Sequence, residues 1–476
     1  MTVTPVHDNA PIPRDIFVPY DPAVNWYDTE AWLGGNRATA WEHSGWRDET
    51  MAWKTSVTLN GTLNPTNTYV LRGPDVLEFM SAVSVNSYKR FDIGTSKHAI
   101  MVNEDGFVIQ HGMILRTAEE EFYTFWLTPM LRTLLEESAG KYDIQGETLT
   151  GRRFLFQLSG PRSLETLEAA TGEDLHDIRF LRHRESAIAG HTVRVLRVGM
   201  SGGLGYEVHG DTSASFDVYR ALLEAGRGYG LRQLGVRSYM CNHTEGGFAQ
   251  MRYHFPTPWG NDSVFRSTLG VEGAYGNDGG FNLRGSAGTD ITKRFRNPFE
   301  LGWGHMVNFE HDFIGKAALQ AVTNSSRTMV TLVWNAEDVT DVYSSQLRAG
   351  EEYLPMEFPN HYRFESGDVD HRVTLWADDV LDGDTIVGQS SGRTYTNYSR
   401  EVISLCSIDA EYAGLGTEVI VNWGNPGTPQ KRIRAIVSRF PYLDVPRNEK
   451  VDVSTIPSGV AGARPTVDEA TAVSTK

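Results

Sequence analysis

One pattern constrains the fold of this chain more than any other, because it occurs twice. TYVLRGPDVLEFM (68–80) and FLFQLSGPRSLETL (154–167) each read as an apolar strand, a Gly-Pro turn and an amphipathic helix. Proline sets φ for the first helical turn, and the glycine before it lets the chain reverse. After the first turn Val76, Leu77, Met80 and Val83 share a helical face. After the second, Leu164 and Leu167 do so, and Gly172 stops the helix. A strand–helix unit used twice predicts two related α+β domains.

Two more helices are marked by their ends. Thr128-Pro129 opens one that carries Leu131, Leu134 and Leu135 and stops at Gly140. Ser215 to Ala225 carries Phe216, Tyr219, Leu222 and Leu223, with Gly226 after it. Further on, TMVTLVW (328–334), EVISLCSI (401–408), TEVIVNW (417–423) and KRIRAIVSRF (431–440) read as strands and predict a β-rich third domain. Residues 255–300, rich in Gly, Asn and Asp, read as a long connection. The expected division is residues 1–65 with 151–290 as a discontinuous first domain, 66–150 as a second, and 291–450 as a β-rich C-terminal domain. Residues 451–476 hold no aromatic residue and read as a disordered tail.

A length of 476 residues suits about three domains. Lys and Arg number 44 against 60 Asp and Glu, a net charge of -16. A field of that sign repels phosphate backbones, so no nucleic-acid partner is expected. No apolar run reaches the ~18 residues of a membrane span, so no membrane partner is expected either. Cys241 and Cys406 are too few for a disulfide framework or a Cys-rich zinc site. The N-terminus MTVTPVHDNAPIPRD lacks the pattern of a secretory signal. Together these predict a cytoplasmic protein. Nothing signals an oligomeric state.

Four segments carry candidate chemistry. RVGMSGGLGYEVHG (197–210) reads as strand, glycine-dense turn and strand, with Gly205, Tyr206 and Glu207 at its far end. A carboxylate among apolar strand positions needs donors. Glu207 is either salt-bridged beside a hairpin or turned to a ligand such as a pterin, whose N3–H and 2-amino group form a donor pair. GVRSYMCNHTEGGF (235–248) gathers Tyr239, Asn242 and His243. They suit acid–base work, or else they are a strand tyrosine and a loop histidine. In NEDGFVIQHGMIL (103–115), Gln110 and His111 interrupt a strand pattern and face either solvent or a cavity. VGQSSGRTYTNYSREVISLCSI (387–408) reads as a polar turn with Arg393 and Tyr395 before a buried strand. GVEGAYG (270–276) reads as an irregular loop, and the scattered histidines predict no metal site.

In this order the segments resemble the glycine-cleavage T-protein, or aminomethyltransferase, superfamily. Gly199 to Glu207 is similar to its G-Y-T-G-E-x-G-Y-E motif, Glu300 to Leu319 to its E-x-G-L-G…DFIGKxAL run, and Ser390 to Ser399 to its T-S-G…S-P…G turn. The resemblance spans roughly residues 45–440. Arg237-Ser238-Tyr239 followed by Glu245 and Gly247-Phe248 is similar to the R-A-Y…E-S-G-W stretch of the tetrahydrofolate-dependent aryl O-demethylases. Those enzymes act on vanillate, syringate, 3-O-methylgallate or dicamba. The resemblance implies three domains in a ring, tetrahydrofolate as cofactor and a small methoxylated aromatic as substrate, with the methyl group moved to N5. It implies Tyr239 as catalytic; from the segments themselves His243 is a second catalytic candidate, and His111, Gln110 and Asn242 are candidates for binding substrate. For the cofactor it implies Glu207 and Phe248; Gly205 and Tyr206 beside Glu207 are further candidates, and the carboxylates of a folate tail call for basic residues such as Arg393 or Lys316, with Tyr395 near them. Two departures stand out. Gln110-His111 replaces the Asp-Asp pair of the aminomethyl enzymes, and Pro65 and Leu127 fall where the vanillate-type enzymes hold a substrate carboxylate.

Overall fold

The computed structural model describes residues 16–21, 24, 26–28, 39–199, 202–258, 281–322, 327–358 and 374–460. Both copies of the repeated unit form. Strand Thr68–Arg72 runs into helix Val76–Val83, and strand Arg153–Ser159 into helix Ser163–Thr171. Each turn holds a glycine at positive φ, 141° at Gly73 and 125° at Gly160. A Cβ would lie 2.1 Å from the Asp143 carbonyl oxygen at the first and 2.5 Å from that of Ser56 at the second. Only glycine tolerates both constraints, so the repeat is one of close backbone approach.

The second unit belongs to a six-stranded sheet in the order His183–Ile188, His191–Leu196, Gly205–Asp211, Arg153–Ser159, Thr58–Asn60, Arg232–Gln233. Its neighbours are antiparallel except the last pair. Helices Ser163–Thr171 and Ser215–Gly226 cover one face, where Phe156, Leu164, Val208, Val218 and Leu222 are buried together. Truncating one of these, as in Leu222→Ala, costs about 2–5 kcal/mol. The first unit belongs to a five-stranded antiparallel sheet, Ser96–Val102, Val108–Ala118, Glu121–Phe125, Thr68–Arg72, Gln145–Thr148. Helices Val76–Val83 and Met130–Glu137 pack on it.

The C-terminal strands close into a barrel. Thr374–Asp382, Thr385–Thr396, Glu401–Asp409, Arg327–Trp334, Lys431–Ser438 and Glu418–Trp423 pair in that order, and the last pairs back to the first. Closure leaves no open edge among them. The short strand Asn282–Arg284 lies parallel beside Thr374–Trp376, so this part of the expected connection belongs with the barrel. Residues 270–276 lie outside the described residues.

Three expectations change. Residues 387–396 are strand rather than turn, and only 397–400 turn. Their polar side chains misled because they find partners inside the barrel: Ser390 bonds Ser404 at 2.7 Å, and the Arg393 guanidinium lies 4.5 and 4.2 Å from the Trp376 and Trp423 rings. Val236–Glu245 is a helix, not the strand and loop expected of Tyr239 and His243. Being buried on almost every side, it carries no apolar stripe to read. Finally, the chain after the barrel packs back on the first sheet. The Arg197 guanidinium donates to the carbonyls of Asn448 and Val451 at 2.7 and 2.8 Å, and Gly459 N–H to Glu168 at 2.8 Å. The tail expected from 451 is therefore packed as far as 460, and 461–476 lie outside the described residues. No helix among the described residues is long and apolar enough to cross a membrane.

Candidate active site

The two sheets, with the segments leading to and from the barrel, enclose one cavity of about 1340 Å³. One wall is the strand Gly205–Asp211. Alternation along it sends Tyr206 and Val208 into the domain core and Glu207 and His209 to the opposite face. Glu207 lines the cavity, only 6% exposed. Gln157 Nε2 donates to its Oε1 at 2.9 Å, and His209 Nε2 to its Oε2 at 2.9 Å. Asn60 Nδ2 donates to Gln157 at 3.3 Å, extending the network over three strands. A carboxylate held by one donor on each oxygen keeps lone pairs for a ligand that brings N–H groups. The residues present therefore fit a pterin.

The facing wall is the helix Val236–Glu245. Helix Trp46–Thr55 clamps it at both ends. Glu49 accepts from Gly235 N–H at 2.9 Å and from the Ser238 hydroxyl at 2.6 Å, a carboxylate at a helix N-terminus. Lys54 pairs with Glu245 at 2.6 Å, both almost fully buried. Tyr239 and His243, four residues apart, share the face that lines the cavity, with ring centroids 4.6 Å apart. The Tyr239 hydroxyl has no hydrogen bond among the described residues. Burial, and then the Glu207 carboxylate, push its pKa above the ordinary value, so it stays protonated and a donor.

His243 donates Nδ1–H to the Phe248 carbonyl at 2.8 Å, and burial lowers its pKa to about 4. It is neutral near pH 7, with Nε2 as a bare acceptor. Across the cavity, His111 Nδ1 and His98 Nε2 share a hydrogen bond of 3.0 Å. Burial first, then His98 and His243, hold the His111 pKa well below its usual value. Trp303 packs against His111 at 4.7 Å and Phe248 at 5.6 Å, completing an aromatic box. Gln110 gives its amide N–H to the Trp126 carbonyl.

Of the residues expected in the site, Glu207, Tyr239, His243, His111, Gln110 and Phe248 meet in this cavity. The others do not line it. Asn242 is fully buried, turned off the face that Tyr239 and His243 share. Tyr206 lies in the domain core, sent there by strand alternation, and the backbone of Gly205 is used by the sheet and by Asn448. Arg393 is stacked inside the barrel. Tyr395 lines a separate cavity of about 560 Å³ beside Trp46. Lys316 pairs with Asp312 away from the cavity. The cations that do line it are Lys97, Arg132, Arg252 and Arg447. Sequence reading also missed His98 and Asn448, and marked Trp303 only as preceding the 312–316 turn. His98 lies opposite the His111 strand but thirteen residues away, a pairing that only the register reveals.

Comparisons with known proteins agree with this arrangement. Residues 21–255 match the family described as GCVT N-terminal domain. Sesamin methylene transferase of Sinomonas sp. (strain No.22) is 42% identical over 429 residues, covering 87% of this chain and 93% of that protein. Syringate O-demethylase of Sphingobium sp. (strain NBRC 103272 / SYK-6) is 32% identical over 446 residues, covering 86% and 91%. The crystal structure of the glycine cleavage system aminomethyltransferase T from Bartonella henselae matches with a TM-score of 0.61 over 90% of this chain and 95% of that one. At 15% identity that match speaks for the fold alone. On the strength of the two sequence relatives, the chain belongs to the glycine-cleavage T-protein (aminomethyltransferase) superfamily.

Proposed function

We propose that the protein is a tetrahydrofolate-dependent O-demethylase of a methoxylated aromatic compound. The observation that carries this reading is Tyr239, which lines the cavity without a hydrogen bond to its hydroxyl among the described residues and within electrostatic reach of Glu207. Tetrahydrofolate, when bound, supplies the nitrogen that receives the one-carbon group. Glu207 would accept from the donor edge of the pterin, with Phe248 and Trp303 as flanking rings. When the methyl–oxygen bond breaks, negative charge grows on the aryl oxygen. Tyr239 donates a hydrogen bond to that oxygen, the stabilisation that matters most where charge develops. Its raised pKa makes it a hydrogen-bond donor rather than an acid that surrenders its proton. His243, His111 and Gln110 line the arene end.

A second reading is removal of a methylene bridge from a methylenedioxyarene, favoured by the higher identity to the methylene transferase, 42% against 32%. Sheet membership supports three units, 1–65 with 151–290, 66–150 and 291–450, with Asn282–Arg284 reassigned to the third. Two buried free thiols, Cys241 and Cys406, support a reducing cytoplasmic setting. The test is incubation with tetrahydrofolate and matched panels of methoxyarenes and methylenedioxyarenes. 5-Methyltetrahydrofolate with the phenol is expected from the first panel. A methylene-level folate product from the second panel alone would favour the second reading, and no product from either would reject both.

A further inference from the structure

The cavity contains polar atoms that the protein itself leaves without partners, and most of them are of one kind. Gln110 has spent its amide N–H on the Trp126 carbonyl, so its buried Oε1 remains as an acceptor with no partner. His243 has spent Nδ1–H on the Phe248 carbonyl, so its buried Nε2 remains as an acceptor with no partner. Gln250, which also lines the cavity, has a buried Oε1 in the same condition. His111 Nε2 is unpartnered too, donor or acceptor according to how His98 and His111 share their proton. Buried acceptors without donors are costly and are rare unless a ligand completes them.

The cations of the cavity are engaged only in part, and none of them belongs to the His243, His111 and Gln110 cluster. Lys97 donates to the Ser87 carbonyl and lies over the Tyr88 and Phe91 rings. Arg132 Nε is buried without a hydrogen bond among the described residues, 3.7 Å from the Glu136 carboxylate, and Arg447 donates to the Gly246 carbonyl at 3.0 Å. Arg252 also interacts within the protein.

We infer that the arene end of the cavity selects an uncharged phenol, a methoxyarene that brings a hydroxyl donor and carries no carboxylate. This rests on the demethylase reading and names its substrate class. A hydroxyl beside the methoxy group would give its proton to His243 Nε2 or Gln110 Oε1 and meet a partner. Beside His243 and Gln110 a carboxylate would set its own lone pairs against theirs and lose its water. Completing a buried acceptor in this way is worth roughly 10- to 100-fold in affinity.

The experiment compares guaiacol, veratrole and vanillate as substrates of the full chain with tetrahydrofolate. Veratrole is guaiacol with its hydroxyl capped, and vanillate is guaiacol with a carboxylate added. Guaiacol is expected to exceed each by roughly 10- to 100-fold in kcat/KM, mainly through KM. His243→Phe should bring guaiacol and veratrole closer together. Calorimetric titration of guaiacol and vanillate into protein saturated with folic acid, which takes no methyl group, reads the same preference without turnover. Vanillate binding or reacting as well as guaiacol, or veratrole matching guaiacol, overturns the inference. Guaiacol preferred in binding while no arene is demethylated would leave the inference standing and reject the demethylase reading. Turnover without preference would do the reverse.

Discussion

The two walls of the cavity are built on opposite plans. Around Glu207 each carboxylate oxygen has its donor, and Asn60, Gln157, Glu207 and His209 form one network over three neighbouring strands. Around His243 and His111, polar groups are buried neutral and several atoms have no partner. The first wall is a charge fixed in advance. The second is a set of open positions in an aromatic box. A cofactor that is the same in every cycle suits the first plan. A substrate whose polar groups complete the box suits the second, at the cost of stability while it is absent.

Acid should separate the walls first, and it has the largest expected effect. His243 and His98 titrate near 6.5 when unfolded and are lowered to about 4 in the fold, mainly by burial. Between those values the unfolded chain binds more protons. Their contribution is therefore intact above pH 6.5, falls as pH drops, and levels off below about 4. Each is expected to cost up to about 1.4 kcal/mol per pH unit. Denaturant midpoints measured from pH 8 to pH 4 check this, and a flat profile would mean that these histidines are already charged in the fold.

The helical wall can be broken by a single change at its clamp. Lys54→Met leaves Glu245 buried without its partner and should cost about 3–5 kcal/mol of stability. The urea midpoint measures it, and Lys54→Met with Glu245→Gln should recover part of the loss. Tyr239→Phe keeps the ring and deletes the donor. It should lower kcat by ~10²–10³ with folate affinity nearly unchanged. The defect should shrink for methoxyarenes with more acidic phenols; a defect indifferent to the leaving group would make Tyr239 a packing residue.

On the other wall, Glu207→Gln should weaken tetrahydrofolate binding by ~10–100-fold, since a charge-assisted pair is worth about 1.5–3 kcal/mol. A fluorescence titration reads it, and unchanged affinity would remove Glu207 from the site. The smallest effect belongs to His98. His98→Leu removes the partner that orients His111 and should raise KM for the arene by roughly 2- to 10-fold, with the folate titration unmoved. Equal changes in both would show that the walls are not independent.

The contrast between the walls also explains what could be read in the chain. Glu207 was legible because a glycine-dense turn and strict alternation fix which way it points. The repeated Gly-Pro unit was legible because each turn meets a local backbone demand. Val236–Glu245 was not, since a helix enclosed by other elements has no solvent face to mark its period. The strand Thr385–Thr396 was not, since its polar residues are matched inside a closed barrel by Trp376, Trp423 and Ser404. His98 and Trp303 join the box through pairings distant along the chain, which no local pattern carries.

The segment that leaves the barrel has a consequence for how the protein is made. Asn448 N–H donates to the Gly202 carbonyl at 2.7 Å, and its side chain donates to the Gly205 carbonyl at 3.1 Å. The glycine turn leading to Glu207 is thus buttressed by residues synthesised some 240 positions later. Chains emerge N-terminus first, and domains fold as they appear. The first sheet can form on the ribosome, but this side of the cavity closes only once the segment around Asn448 has emerged. Competence to bind ligand therefore waits for the segment that follows the barrel, and a nascent chain carries an unfinished pocket until then.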